Sequence, residues 1–379
     1  MKFSHIYLEN WRNFTRVDVV LQSRMFLVGP NASGKSNLLD VFRFLHDLVR
    51  VGGGLEKAVA DRGGVSRLRS LAARQHPEIV IDVTIEDSDI TWRYRLGIMQ
   101  DNNSRTFLKD EQVWKNSELL LKRPDEQDLQ DKELLRQTHL EQLNSNRSFR
   151  GIADFFNTIR YYHIVPQLIR DPERSAGAKF DPYGGDFLEQ IASSPKRTQE
   201  SRLRRIQDAL RVAVPQLQEL AQYKDARGIP HLRAKYDHWR SKGAWQTEAD
   251  FSDGTLRLMG LLWALLDGNG PLLLEEPELS LHAEVASYIP AMMASIQKSQ
   301  KRQARQIFVS THSSDLLSDE GIAGTEVLLL RPTNEGTRVD VSKDVADIKV
   351  LLEAGLPISE AVLPHTRPPR AAQLSSFGE

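Results

Sequence analysis

The feature that most constrains this chain is Gly29-Pro30-Asn31-Ala32-Ser33-Gly34-Lys35-Ser36. An apolar run, Met25 to Val28, leads into it, and Leu38, Leu39, Phe42, Leu45 and Val49 follow at helical spacing. The order is strand, glycine loop, helix. Glycines let a backbone wrap a phosphate without Cβ clashes, and a helix start aims N–H groups and a positive dipole end at it. Lys35 then reaches the β- and γ-phosphates, and Ser36 supplies a hydroxyl to Mg²⁺. The expected nucleotide set is Gly29, Asn31, Ala32, Ser33, Gly34, Lys35, Ser36 and Asn37, with ATP and Mg²⁺ as ligands. A plain glycine turn would need neither the strand before nor the helix after.

The bulk of the chain excludes several classes. With 379 residues it can bury a large core in more than one lobe. Apolar residues make up 40% and charged residues 27%, so the composition is that of an ordinary soluble protein. No apolar run reaches the roughly 18 residues of a membrane span. The opening MKFSHIYLENWRNF lacks the apolar core and cleavage site of a signal peptide. Cysteine is absent, which removes disulfides, thiolate metal sites and thiol nucleophiles. The expected location is the cytoplasm, with no membrane contact. The net charge of −1 gives no global footprint for nucleic acid, so DNA contact would rest on the Arg/Lys clusters at 62–74, 196–211 and 298–305. Such runs are more often solvated faces.

Patterning suggests four parts. Residues 1–99 hold strands, the phosphate loop and its helix. Residues 52–75, rich in Gly and Arg, read as a mobile loop. Ile79, Ile81, Val83 and Ile85, then Trp92, Tyr94, Leu96 and Ile98, alternate around Glu86–Asp89 as an antiparallel hairpin. Residues 100–250 read as a mixed, mainly helical insertion or lid, with helices near 125–143, 148–158 and 198–222. The last carries Leu203, Ile206, Leu210, Val214 and Leu217 as its stripe. Residues 251–345 return to strong patterning: a helix over Leu256–Leu266, a strand at Leu272–Leu274, a helix over 283–299 kinked by Pro290, and strands at Ile307–Val309 and Val327–Leu330. Residues 346–379 give a helix ending at Gly355 and Pro357, then a disordered tail from His365.

Three further motifs carry chemistry. In Leu272-Leu273-Leu274-Glu275-Glu276-Pro277-Glu278 a buried strand ends in adjacent acids, which is costly unless a cation or a water uses them. Glu275 suits Mg²⁺ and Glu276 suits polarising the attacking water; a solvated strand exit is the bland alternative. Ile307-Phe308-Val309-Ser310-Thr311-His312 ends a strand in a histidine able to hydrogen-bond a γ-phosphate, although a lone histidine is usually structural. In Phe251-Ser252-Asp253-Gly254-Thr255-Leu256-Arg257, Ser252 looks like an N-cap and Gly254 permits close backbone approach.

Together these motifs resemble an ABC-type ATPase head of the RecF/SMC/OLD group of AAA ATPases. Ile6-Tyr-Leu-Glu-Asn-Trp-Arg-Asn-Phe14 is similar to the group's opening, Leu272 to His282 to its Walker B and D-loop, Ser310-Thr-His-Ser313 to its switch-histidine loop, and Ser252 to Arg257 to its signature. The resemblance covers about residues 1–50 and 250–315. It implies an α/β P-loop head with an antiparallel β lobe and a mainly helical insertion. It implies homodimerisation in which Ser252, Asp253, Gly254 and Arg257 approach the nucleotide of the partner head, with higher oligomers open. It assigns Gln167 to the Q-loop and the metal, and Arg12 to the nucleotide. Two departures are a Glu at position 275 where Asp is usual, and a signature unlike that of transporters. No Toprim nuclease domain is visible, so nuclease action is expected in a separate effector partner. The expected function is an ATP-hydrolysing switch in DNA maintenance or anti-phage defence. The alternatives are a nucleotide-binding scaffold with little hydrolysis and, further off, the ATPase subunit of a transporter.

Overall fold

The computed structural model describes residues 1–73, 77–171, 173, 181–237, 244–300, 304–367 and 373. The chain forms two compact units. The first comprises 1–160, 269–273 and 300–379; the second comprises 161–268 and 274–299. In chain order the strands are β1 (Lys2–Trp11), β2 (Phe14–Val20), β3 (Arg24–Val28), β4 (Ile79–Asp87), β5 (Ile90–Gln100), β6 (Thr106–Lys115), β7 (Glu118–Arg123) and β8 (Arg160–Tyr162). They continue as β9 (Leu217–Lys224), β10 (Pro230–Tyr236), β11 (Ala244–Thr247), β12 (Leu272–Glu275), β13 (Ile307–Thr311), β14 (Val327–Thr333) and β15 (Gly336–Val341).

In the first unit an antiparallel sheet runs in the order β2-β1-β4-β5-β6-β7. The alternating residues of β4 and β5 form the expected hairpin. Asp87 pairs with Ile90, which leaves Ser88 and Asp89 as the turn, and Ser88 takes a positive φ of 53° to close it. Strands β6 and β7 extend this sheet from residues expected to be mainly helical. A second sheet follows the order β15-β14-β3-β13-β12-β8. Here β3, the strand before the glycine loop, lies between β13 and β14 and is parallel to both. Its residues from Met25 to Val28 are buried, as expected of a strand covered on both faces. The helix Lys35–Val49 then buries Leu38, Leu39, Val41, Phe42, Phe44, Leu45 and Leu48.

Several expectations needed correction. The Gly/Arg-rich stretch is not a loop throughout: helices Leu55–Ala60 and Val65–Leu68 bury Leu55, Ala58, Val59, Val65 and Leu68, and the glycines mark their boundaries. Residues 74 and 75 of it lie outside the described residues, as do 301–303 of the third basic cluster. The helix expected over 125–143 is a short helix, Glu126–Gln130, capped by Asp125, then a 3-10 turn, Lys132–Arg136. After Gly355 a further helix, Ile358–Val362, precedes a 3-10 turn, Leu363–Thr366, whose His365 and Thr366 fall in the tail expected to be disordered. The rest of that tail, 368–372 and 374–379, lies outside the described residues.

The second unit holds the antiparallel sheet β11-β10-β9 and the helix Lys196–Ala213, which buries Leu203, Ile206 and Leu210. That helix stops short of the expected 222. Val214 precedes Pro215, which disfavours the helical conformation at Val214, and Leu217 belongs to β9 instead. The pattern over 283–299 breaks into Ala283–Ser287 and Ile289–Ser299. Pro290 falls in the first turn of the second piece, where its missing N–H costs nothing.

Candidate nucleotide site

The loop after β3 is shaped by backbone geometry and by a clamp from the chain's start. Gly34 has φ 98°, and a Cβ there would lie 2.2 Å from Asn13 Nδ2. Asn13 uses its whole amide: Nδ2 donates to Ser33 O (2.9 Å) and Thr337 Oγ1 (2.8 Å), and Oδ1 accepts from Asn37 Nδ2 (2.8 Å). Trp11 Nε1 donates to Asn37 O at 2.9 Å. A Cβ on Gly29 would meet Leu330 O and Ser33 Oγ, both at 2.6 Å. Lys35 is buried, and its Nζ donates to Gly29 O (2.9 Å) and Pro30 O (3.3 Å), so the ammonium is folded across the loop's mouth.

This cradle fits an anion. The helix Lys35–Val49 starts with no side-chain cap and no acid in its first turn, leaving its first N–H groups and its dipole uncompensated by side chains. Ser33 Oγ is fully buried without a hydrogen-bond partner. Asn31, Ala32 and Ser36 are exposed around it. Thr311 pairs with Val28 in the parallel ladder, so His312 and Gly29 leave the same end of the sheet on neighbouring strands. That end, past the carboxyl termini of parallel strands, is where open α/β sheets bind ligands. His312 is exposed there.

Arg12, assigned to nucleotide by resemblance, is held by Asp40 of the loop's own helix, at 2.9 Å from Nη2 to Oδ2. Arg62 joins from the other side, at 2.8 Å to Asp40 Oδ1 and 3.0 Å to Asp47 Oδ2. Burial pushes the Asp40 carboxyl up, but Arg62 and then Arg12 outweigh it and hold the group below its ordinary value.

The other expected residues lie in the second unit. Strand β12 passes from the first unit at Leu273 to the second at Leu274 and ends on Glu275. Tyr161 of β8 donates its hydroxyl to Glu275 Oε2. Glu276 follows with a positive φ of 43°, a conformation costly for a residue with a Cβ and characteristic of functional turns. The helix Asp253–Leu266 starts as expected on Ser252, whose Oγ accepts from Thr255 N at 3.2 Å. A Cβ on Gly254 would meet Ser280 O at 2.7 Å, so this glycine is where the turn after β12 closes on the helix start. Gln167 Nε2 donates to Asp253 Oδ2 (3.1 Å), and Arg170 reaches Asp253 Oδ1 (2.7 Å) and Phe251 O (2.5 Å). Gln167 and Asp253 are thus brought together. Arg257 is buried, and its Nε and Nη1 have no hydrogen-bond partner. Burial lowers its pKa more than Asp253, Glu278 and Glu276 raise it.

Sequence reasoning missed Asn13, Tyr161, Arg170 and the Asp40–Arg62 pair. Only Asn13 had a signal, its place in the opening motif. Among the described residues no cluster of three or more His, Cys, Asp or Glu could hold a metal alone. No helix among them is long and apolar enough to cross a membrane.

Parallel β3, β13 and β14 with a glycine loop opening a helix, beside an antiparallel sheet, define a P-loop ABC-type ATPase head of the RecF/SMC/OLD group. Residues 24–319 match the family described as "AAA domain, putative AbiEii toxin, Type IV TA system", and the chain belongs to that family. Its fold is similar to an SmcHead bound to the C-winged helix domain of ScpA, with TM-score 0.56 and 14% identity, covering 90% of this chain and 98% of that one. It is also similar to the Smc head domain with an extended coiled coil from Pyrococcus furiosus, solved bound to the C-terminal domain of ScpA. There the TM-score is 0.50 and the identity 12%, covering 94% of this chain and 100% of that one. A curated relative, Endonuclease GajA of Bacillus cereus (strain VD045), is 45% identical over 47 residues. That stretch covers 12% of this chain and 8% of the endonuclease.

Proposed function

We propose that this chain binds ATP with Mg²⁺, hydrolyses it, and pairs with a second copy through composite ATP sites. The observation that carries the reading is the anion cradle: an uncapped, acid-free helix start behind Gly34, the buried unpartnered Ser33 Oγ, and Lys35 held across the loop. Gly29, Asn31 to Ser36 and Asn37 bind the nucleotide. Ser36, Glu275 and Gln167 hold Mg²⁺, which supplies charge neutralisation at the phosphates. Glu276 polarises the attacking water, and His312 hydrogen-bonds the γ-phosphate. Arg12 orders the loop's helix through Asp40 and stands at the edge of the nucleotide.

Ser252, Asp253, Gly254 and Arg257 serve the nucleotide of the partner head. The buried guanidinium of Arg257, whose Nε and Nη1 lack hydrogen-bond partners, supports this, because such donors are expensive to bury unless a ligand completes them. ATP then joins the heads and hydrolysis lets them open, a two-state switch biased by phosphate contacts. We assign residues 1–99 and 251–345 to the two halves of the head, 100–250 to an insertion that acts as its lid, and 346–379 to a C-terminal appendage. The switch acts in the cytoplasm, in DNA maintenance or anti-phage defence, on a separate effector protein. The similarity of a short segment to an endonuclease favours a nucleic-acid setting.

The test is light-scattering mass of Glu276→Gln and Lys35→Ala, each with and without Mg-ATP, beside wild-type turnover. A dimer gained with ATP by Glu276→Gln alone, together with wild-type phosphate release, is the expected result. Mass independent of ATP in both variants would remove the composite-site reading. Wild type that dimerises with ATP but releases no phosphate would leave a scaffold.

A further inference from the structure

The helix Lys196–Ala213 carries two polar stripes of different kinds. Glu200, Arg204, Asp208 and Arg211 succeed one another at steps of three or four, so acid and base alternate. Arg211 lies 4.0 Å from Asp208. This is an ordinary self-compensated solvent stripe. The adjacent stripe, Arg197, Thr198, Ser201, Arg202 and Arg205, contains no acid, and with Leu266 it lines a groove of about 340 Å³. Only one of its three guanidiniums is balanced: Arg202 donates to Asp267 Oδ1 at 2.6 Å and lies 5.0 Å over the Trp263 ring. Arg197 and Arg205 have no carboxylate partner among the described residues.

We infer that this groove docks the phosphate backbone of a nucleic-acid strand. Arg197 and Arg205 are two turns apart, about 12 Å along the helix axis at 1.5 Å per residue. At that spacing a polymer of regularly spaced anions can engage both at once. Arginine's planar fork matches phosphate oxygens in pairs. Ser201, between the two cations, and Thr198 add hydroxyl donors of the kind that contact backbone oxygens. Leu266 gives the groove an apolar side for a sugar. Arg202, already neutralised and stacked, shapes the groove and adds no net charge. The docking needs no nucleotide at the phosphate loop, so it stands or falls separately from the ATPase reading.

The test is fluorescence anisotropy of labelled mixed-sequence oligonucleotides, single- and double-stranded, with the full chain across a salt series. Arg197→Glu/Arg205→Glu is compared with Arg204→Glu/Arg211→Glu, a charge-matched control on the neighbouring stripe. Removing two phosphate contacts should weaken binding about tenfold or more at low salt and reduce the log–log salt slope by about 2. The control pair should lose no more than about threefold. ATP turnover without nucleic acid stays unchanged in both. Equal losses in the two pairs would show nonspecific attraction and overturn the inference. So would absence of binding, competition by polyglutamate as effective as by unlabelled oligonucleotide, or competition by pyrophosphate at the same total phosphate.

Discussion

Gly34 and Asn13 form a pair whose coupling can be worked out before it is measured. Gly34→Ala does two things. It forces an alanine to φ 98°, at about 1–2 kcal/mol, and it puts a methyl 2.2 Å from Asn13 Nδ2 and 2.5 Å from Oδ1. The amide must move and lose its bonds to Ser33, Asn37 and Thr337. At about 1 kcal/mol each, that is about 3 kcal/mol, so Gly34→Ala should cost about 4–5 kcal/mol in all. Asn13→Ala loses the same three bonds with no strain, about 3 kcal/mol. In the double variant the methyl finds the space the amide left, so its cost should again be about 4–5 kcal/mol, not the additive 7–8. Urea unfolding of the four proteins gives the cycle. The loop's affinity for a fluorescent ATP analogue should follow the same order. Simple additivity would mean that Asn13 does not clamp the loop, and the account of the cradle would be wrong.

Tyr161→Phe removes a hydroxyl that donates to Glu275. It should raise the Mg²⁺ needed for half-maximal nucleotide binding several-fold while changing stability by about 1 kcal/mol at most; titration of analogue fluorescence with Mg²⁺ reads this, and an unchanged midpoint rejects it. Arg257→Leu exchanges a buried guanidinium, two of whose nitrogens lack hydrogen-bond partners, for an apolar side chain. In the Glu276→Gln background the same change should abolish the ATP-dependent mass increase; a dimer that survives places Arg257 outside the composite site. Asp40→Asn should destabilise the chain at neutral pH by about 3 kcal/mol, since it breaks a mostly buried pair with Arg62 and Arg12. The Asp40 carboxyl titrates below 3.8 when folded, so its contribution is present above that pH and is lost as pH falls through the lower folded value. The difference between Asp40→Asn and wild type should therefore shrink only below about pH 4, which stability measured against pH will show.

The strand, glycine loop and helix were legible because their pattern is local. The apolar strand, the glycines and the helix stripe all lie within Met25 to Val49, and each makes the same demand on the backbone. The hairpin was legible for the same reason, since alternation around Ser88-Asp89 fixes register within a few residues. The boundary at Val214 was also local: Pro215 stands in the sequence as a stop, and reading the stripe through to Leu217 let periodicity override a backbone constraint that is sterically firmer. What stayed hidden is set by long-range pairing. Tyr161 meets Glu275 across 114 residues, and Asn13 meets Thr337 across 324. Neither tyrosine nor asparagine carries a pattern that names its partner. The same logic bears on Glu275, which the proposed reading places where an aspartate is usual. A longer carboxylate has an extra torsion to restrain, and the Tyr161 hydroxyl supplies a restraint from a neighbouring strand. Glu275 and Tyr161 stand far apart in the sequence, and only the folded chain puts the two side by side.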